Sequence, residues 1–210
     1  MKYDVVIVAS GSGKRANLGY NKAFFLMSDN KTVLEHSSKL FIEDEDCKNI
    51  IIVTSEEYID SVFNNDKVIK TLGGKERKDS VYNGLLKVNS EYVLIHDAAR
   101  PFLKKESLEE LKQSVEKNSA AILAKKAVDT IKVVEENKIT KTLDRNFIYM
   151  AETPQGFKTS LIKKCYEESK DAVFTDDASL VESLGYDVYV VEDKYNNKKL
   201  TSQEDFINLW

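Results

Sequence analysis

The residues best suited to chemistry on an anion lie at the start of the chain, in Gly11-Ser12-Gly13-Lys14-Arg15, with Lys22 on the same loop. They follow the apolar run Val5-Val6-Ile7-Val8 and the small pair Ala9-Ser10. An apolar run that gives way to small residues and glycine reads as a buried strand ending in a tight turn. Glycine lacks a Cβ, so its backbone can take φ > 0 and its N–H can approach an anion closely. Arg15 and Lys22 bring fixed positive charge to the same mouth. Bare amides, small residues and two cations suit a polyphosphate. The stretch is not a P-loop, because Val8 stands where that motif needs its first glycine and Arg15 where it needs a hydroxyl. It does match Gly-x-Gly-x-x-Ala at Gly11, Gly13 and Ala16, which leaves a dinucleotide-dependent oxidoreductase open.

Further candidates follow later strand-like runs. Gly73, Gly74, Arg77 and Ser80 come after one such run, and Asp97, Ala98, Ala99 and Arg100 after another. Arg145, Thr153-Pro154-Gln155, Thr175-Asp176-Asp177 and Asn197-Lys198-Lys199 follow toward the C-terminus. Ligands of open α/β sheets bind beyond the carboxyl ends of strands, so these loops are where charge would converge. Arg15, Lys22, Arg100, Arg145 and Lys199 are the candidate cations. Each position also has a plainer reading. Ser80 could cap a helix or read a base edge, and Thr175 is a good N-cap with Asp176 and Asp177 in the first turn. Arg145 could pair with Asp144, Lys198 and Lys199 could be a solvated turn, and His96 reads as a satisfied core histidine rather than a base. Asp97, directly after Tyr92-Val93-Leu94-Ile95-His96, is placed for a sugar hydroxyl or a metal.

The elements that must carry these loops alternate. Strand-like runs at Val5–Val8, Ile50–Val53, Val68-Ile69, Tyr92–Ile95, Ala120–Leu123 and Tyr186–Val191 are interleaved with helical spacing. The helical patterns cover Val33 to Phe41, Glu56 to Phe63, Lys78 to Val88, Leu108 to Val115, Leu161 to Ser169 and Asp176 to Leu184. Ser202-Gln203-Glu204-Asp205 signals a capped start to a last helix. The β-α-β order predicts a three-layer α/β sandwich with a mostly parallel central sheet, as one domain over 1–210. A hairpin at about 126–145 breaks the alternation and is expected to project as an arm. Both prolines, Pro101 and Pro154, sit just after candidate residues and are expected to stiffen site loops.

Composition excludes several classes. With 42 % hydrophobic and 31 % charged residues the chain reads as globular. A net charge of −4 gives no general attraction to nucleic acid or to an anionic membrane. Cys47 and Cys165 share no metal-like spacing and read as reduced thiols, which with the lack of any leader-like or bilayer-length apolar run predicts a cytoplasmic protein. His36 and His96 are too few for a histidine-rich metal site.

Taken in order, the motifs resemble one family. Ala9-x-Gly-Ser-Gly-Lys-Arg15, Gly73-Gly-x-x-Arg-x-x-Ser-Val-x-x-Gly-Leu85, His96-Asp-Ala-Ala-Arg-Pro-Phe102 and Asp129-Thr-Ile-Lys132 come first. Thr142-Leu-Asp-Arg145, Thr153-Pro-Gln-x-Phe157, Thr175-Asp-x-Ala-Ser-Leu-Val-Glu182 and Asn197-x-Lys-x-Thr201 follow. Together they are similar to the 2-C-methyl-D-erythritol 4-phosphate cytidylyltransferases of the non-mevalonate isoprenoid pathway. That resemblance implies a Rossmann-like nucleotidyltransferase fold and transfer of a cytidylyl group from CTP to the sugar-alcohol phosphate, releasing pyrophosphate. It implies Arg15, Lys22, Arg145 and Lys199 as catalytic cations. It implies Ala9, Ser10, Gly11, Gly13, Gly74, Ser80, Asp97 and Ala98 around CTP, and Asp97, Arg100, Thr130, Thr153 and Thr175 toward the acceptor. Mg²⁺ held by substrate phosphates rather than a protein cage, and a homodimer whose arms carry Thr130 and Arg145 to the partner's site, are implied as well. Ribitol 5-phosphate cytidylyltransferases share several motifs, but there Ser-Val is expected in place of Ala98-Ala99. The resembled family usually has Pro-Lys-Gln at Asn21-Lys22-Ala23, which leaves a nucleotide-binding homologue with weakened turnover as a further alternative.

Overall fold

The computed structural model describes residues 1–11, 19–169 and 173–207; Gly13 and Arg15 lie outside them. The elements are β1 (Tyr3–Val8), α1 (Val33–Glu43), β2 (Cys47–Thr54), β3 (Val68–Leu72), α2 (Arg77–Leu85), β4 (Tyr92–Asp97), α3 (Lys105–Asn118) and β5 (Ala120–Lys126). Then come β6 (Lys132–Glu135), β7 (Lys138–Thr142), β8 (Tyr149–Lys158), α4 (Thr159–Glu168), α5 (Asp177–Ser183), β9 (Tyr189–Glu192) and α6 (Glu204–Ile207). Seven strands form one sheet in the order β3-β2-β1-β4-β8-β5-β9. β3, β2, β1 and β4 pair in parallel, as do β5 and β9.

The three layers follow from strand alternation. Tyr3, Val5 and Ile7 face one core with α1 and α3, which contribute Leu34, Phe41, Leu108, Leu111 and Val115. Val6 faces the other core with α2, α4 and α5, through Val81, Leu85, Ile162, Leu180 and Val181. A parallel strand covered on both faces is apolar at most positions, which is why β1, β2 and β4 stand out as apolar runs, with hydrogen-bonded Asp4 and His96 as buried exceptions.

β8 differs from the sequence-based expectation. It is a ten-residue strand, antiparallel to both β4 and β5, where a site loop around Pro154 was expected. Proline inside a central strand removes a ladder donor. The sheet accommodates it with an irregularity: the β5 partners step from Ile122↔Gln155 to Ala124↔Ala151, and β4 pairing stops at Ile95↔Gln155. Pro154 therefore falls in the gap of both ladders.

Smaller departures have local causes. Glu56–Ser61 forms a 3₁₀ turn with no buried residue to support a longer helix. The last sheet strand begins at Tyr189 rather than Tyr186. Asp176, not Thr175, caps α5, accepting from Ser179 N, and Thr175 is exposed. A carboxylate at the N-cap also meets the positive end of the helix dipole. α6 starts as its signal implies, with Asp205 accepting from the N–H groups of Thr201 and Ser202 at 2.7 and 2.8 Å.

The hairpin is a separate two-stranded sheet of β6 and β7. Its turn residues Glu136 and Asn137 have φ of 48° and 64°, the left-handed pair that matches hairpin twist. Val134 and Ile139 on it, and Val128 and Phe147 beside it, are exposed.

Candidate active site

The strand order reverses at β1, since β2 lies on one side of it and β4 on the other. Crevices beyond the carboxyl ends of strands at such a switch point are where open α/β sheets bind ligands. A cleft of about 390 Å³ opens there. It is lined by Ala9, Ser10 and Gly11 from the end of β1, by Gly74 to Arg77 and Ser80 from the start of α2, and by Asp97 and Ala98 from the end of β4. Asn21, Lys22 and Ala23, around the 3₁₀ turn Lys22–Phe24, and Lys199 complete it.

Close packing of loops builds the floor. The Ser80 hydroxyl, 1 % exposed, accepts from Ser10 Oγ at 2.8 Å and from Gly74 N–H at 3.1 Å, and donates to the Glu76 carbonyl. Its one donor and two acceptor positions are thereby occupied. Ser80 ties the first loop to the second; reading a base edge would require it to exchange one of these bonds. Glycine is needed beside it: a Cβ on Gly73 would lie 2.7 Å from Ser10 Cβ and 2.8 Å from Ser80 Oγ. Gly11, by contrast, does not use the left-handed region; among the described glycines that falls to Gly19 and Gly185.

Charge meets at Asp97. Lys199 Nζ donates to Asp97 Oδ2 at 2.5 Å, and Arg77 Nε stands 3.6 Å from Oδ1. Burial alone would raise the Asp97 carboxyl, but Arg77, Lys199 and Arg100 outweigh it and hold it well below the usual carboxylate range. Arg77 also pairs with buried Asp177 at 2.8 Å, and Asp177 accepts from the Tyr166 hydroxyl at 2.6 Å. Arg77 was visible in the Gly-Gly-x-x-Arg motif, but its role as a bridge between two carboxylates was not: Asp177 is a hundred positions away.

Lys22 and Lys199 thus share one cleft with the glycine turn. Lys22 Nζ also donates to the Leu200 carbonyl at 2.6 Å. Other expected residues are placed differently. Arg100, 9 % exposed, spends Nη1 on the Asn197 carbonyl at 2.7 Å and stands 3.6 Å from Glu152, clamping the Asn197 loop to β8. The Thr153 hydroxyl accepts from Asp97 N–H at 3.0 Å and lies 3.0 Å from His96 Nδ1, whose Nε2 is 3.2 Å from the Arg100 carbonyl. Arg100 and Thr153 therefore stand behind the cleft wall: Thr153 holds the Asp97 backbone, and Arg100 braces the loop that carries Lys199. Thr130 and Arg145 are exposed near the hairpin, where Arg145 Nη1 donates to the Val128 carbonyl at 2.7 Å. Neither they nor Thr175 line the cleft.

His96 is satisfied and fully buried, and burial pushes its imidazole down to about 4, with Asp97 opposing and Arg100 adding to the shift. An unfolded histidine titrates near about 6.5. Below that pH the unfolded chain binds a proton that the folded chain refuses, so the contribution of His96 to stability falls as pH drops toward about 4 and levels off there. The expected loss is up to about 1.4 kcal/mol per pH unit across this window, read as the shift in urea midpoint between about pH 6.5 and about pH 4.5. A midpoint constant over that interval would contradict it.

Fold and cleft define an α/β protein with a ligand cleft suited to phosphates: a parallel-sheet switch point lined by Ser10 and Gly11, with Lys22 and Lys199 converging on it. Comparison with known proteins gives the particular kind. The model of the IspD family, 2-C-methyl-D-erythritol 4-phosphate cytidylyltransferase, matches residues 3–209. The enzyme of that name from Geobacillus thermodenitrificans is 41 % identical over 217 residues, covering 99 % of this chain and 95 % of the relative. The crystal structure of the Francisella tularensis enzyme superposes with a TM-score of 0.84 at 31 % identity, covering 99 % of this chain and 97 % of that one. The structure of 4-diphosphocytidyl-2C-methyl-D-erythritol synthase from Anaerococcus prevotii gives 0.86 at 30 % identity, over 98 % and 93 %. The chain belongs to the 2-C-methyl-D-erythritol 4-phosphate cytidylyltransferase family.

Proposed function

We propose that this chain carries out the family's reaction in the cleft at the ends of β1 and β4, with Lys22 and Lys199 as its principal described cations. The reaction joins a phosphate oxygen of 2-C-methyl-D-erythritol 4-phosphate to the α-phosphorus of CTP, and the bond to pyrophosphate breaks. The attacking phosphate has a second pKa of about 6, so it is mostly dianionic at neutral pH and needs no general base. That agrees with His96, which is buried and hydrogen-bonded on both nitrogens. The barrier is electrostatic: two anions must meet while charge grows on the leaving pyrophosphate. Positioning and fixed cations supply most of the catalysis in such transfers.

Each group has a part in this reading. The amides of Ser10 and Gly11 face phosphate oxygens, since the Ala9 N–H is spent on the Val53 carbonyl, and the family resemblance adds Gly13 and Arg15 to the groups that meet the triphosphate. Lys22 stabilises charge at the triphosphate. Gly74, Ser80 and Ala98 border the nucleoside, and Asp97 presents an ionised carboxylate to a hydroxyl. Lys199, oriented by Asp97, aligns the acceptor phosphate. Arg100 and Thr153 act through Asp97 rather than on substrate. Mg²⁺ is the proposed cofactor. Asp97 is already engaged by Lys199 and Arg77, and the described residues contain no group of three or more His, Cys, Asp or Glu placed to hold a metal ion. Such a donor set suits an ion that keeps its waters and binds phosphate oxygens, where it neutralises charge.

The observation that carries the reading is the convergence of Lys22 and Lys199 on one cleft with the glycine turn. It is tested by pyrophosphate release from CTP with methylerythritol phosphate and, side by side, with ribitol 5-phosphate. Release with the first acceptor alone is expected. Release with ribitol phosphate alone would move the substrate assignment, and release with neither would leave only a nucleotide-binding protein.

A homodimer through the arm belongs to the same proposal. The exposed Val128, Val134, Ile139 and Phe147 support it: Val134 and Ile139 pair across the hairpin, and large apolar side chains left uncovered on a projecting element suit a partner surface. The arm then delivers Thr130 and Arg145 to the partner's cleft. Arg145→Ala is expected to raise KM for the acceptor about tenfold or more, a loss typical of a charge-assisted contact, and to leave KM for CTP unchanged. Light scattering at micromolar concentration should give a dimer mass. A monomer with full activity, or unaltered acceptor kinetics in Arg145→Ala, would remove the arm from the site.

A further inference from the structure

We propose that Asn21 is a positioning residue for Lys22, through a clamp that fixes the lysine's turn against the end of β1. The inference rests on the reading of Lys22 as a cation acting on the triphosphate. Asn21 is only 5 % exposed, unusual for an asparagine on a loop. Its Nδ2 donates to the Ala9 carbonyl at 2.5 Å, and its Oδ1 accepts from Ala23 N–H at 3.0 Å. Its own N–H donates to the Tyr58 hydroxyl at 3.2 Å. Three residues further along, Phe24 stacks on the Tyr58 ring with centroids 4.7 Å apart.

Lys22 is therefore fixed from both sides. The carboxamide of Asn21 bridges the residue after Lys22 and the strand end that opens the glycine turn. Ala9 is itself fixed to the end of β2: its N–H donates to the Val53 carbonyl, and its carbonyl also receives the Thr54 hydroxyl at 3.2 Å. Tyr58 anchors the flanks from a separate segment. This geometry sets the distance between Lys22 and the phosphate-facing amides, the two parts of the cleft that must act on one triphosphate. Carboxamide chemistry is essential to it, because only a side chain with a donor and an acceptor on one carbon can serve Ala9 and Ala23 together. An aspartate of the same shape would set an oxygen against the Ala9 carbonyl.

The test is a double-mutant cycle on purified, full-length protein, read as kcat for pyrophosphate release and as KM for each substrate. Asn21→Ala is expected to lower kcat on the order of tenfold, the scale of a displaced catalytic group, with both KM values within about threefold. Asn21→Asp is expected to do at least as much. In a Lys22→Ala background, Asn21→Ala should lower kcat no further, because the group it positions is gone. Thermal unfolding reports whether each variant is folded; if Asn21→Ala is not, Asn21→Asp and Tyr58→Phe carry the cycle. Wild-type kcat in folded Asn21→Ala or Asn21→Asp, or multiplicative losses in the double variant, would overturn the clamp. Wild-type kcat in Lys22→Ala alone would instead overturn the role of Lys22 itself, so the two failures are distinct.

Discussion

Lys22→Ala is expected to lower kcat on the order of 10²–10³-fold, the loss seen when one preorganised transition-state donor is removed. That corresponds to about 3–4 kcal/mol of transition-state stabilisation. The size follows from where the ammonium sits. Lys22 lines the same cleft as the Ser10-Gly11 turn and Lys199, and its turn is packed through buried Ala23. A cation fixed before the reaction stabilises growing charge on pyrophosphate without reorganising at that moment. Ground-state binding should suffer less, because CTP also meets backbone amides and the loops around Gly74 and Ala98. KM for CTP is therefore expected to change by a few-fold only, a split that separates transition-state loss from binding loss. Lys22→Arg should recover only part of the rate, since a planar fork cannot occupy the place of a compact ammonium. A Lys22→Ala enzyme within twofold of wild type would take this residue out of the mechanism.

The second large effect lies at the end of β1 away from the cleft and concerns stability. Asp4 is fully buried near the start of β1. Its carboxylate accepts from Asn49 N–H at 3.1 Å, Asn49 Nδ2 at 3.0 Å, Asn89 N–H at 2.8 Å, Ser90 N–H at 3.0 Å and Ser90 Oγ at 2.9 Å. One side chain thereby binds the β2 segment and the turn before β4 to the central strand. Asp4→Ala removes the acceptor and leaves several donors unpaired at once. The expected cost is about 3–5 kcal/mol, since each unsatisfied buried donor costs about 1–3 kcal/mol and some of these can reach water. Against a typical total of about 5–15 kcal/mol this is a large fraction, visible as a lowered urea midpoint. Activity per folded molecule should remain, because the cleft is built on the opposite ends of the strands. A loss below about 1 kcal/mol would show that these hydrogen bonds are replaced by water at no cost.

These two positions also divide what is readable in sequence from what is not. Lys22 stands in a motif, and a lysine after a glycine turn has an evident use. Asp4 sits between Tyr3 and Val5 in an apolar strand, with nothing local to announce it. Its five donors come from segments more than forty residues away. Arg100 and Thr153 show the converse. Both belong to recognisable motifs, yet their polar groups turn inward: the Thr153 hydroxyl holds the Asp97 N–H, and the Arg100 guanidinium is taken by the Asn197 carbonyl. Asn21 reads as the absence of a stiff residue, whereas in the fold it supplies hydrogen bonds to Ala9 and Ala23 instead.

The amino-acid sequence by itself determined the layers, the parallel strands and the loops that carry charge. Those depend on short-range patterns: continuous apolar runs for strands covered on both faces, helical spacing between them, and glycine with cations where strands end. Only the tertiary structure decided that β8 runs antiparallel through the middle of the sheet, with Pro154 in a gap of its ladders. Only it decided which polar side chains face the cleft and which brace it from behind. Burial of Glu152–Phe157, and the partners of Asp97, Arg77 and Asn21, come from distant segments brought together by the two cores, and no local pattern encodes a neighbour supplied by another part of the chain.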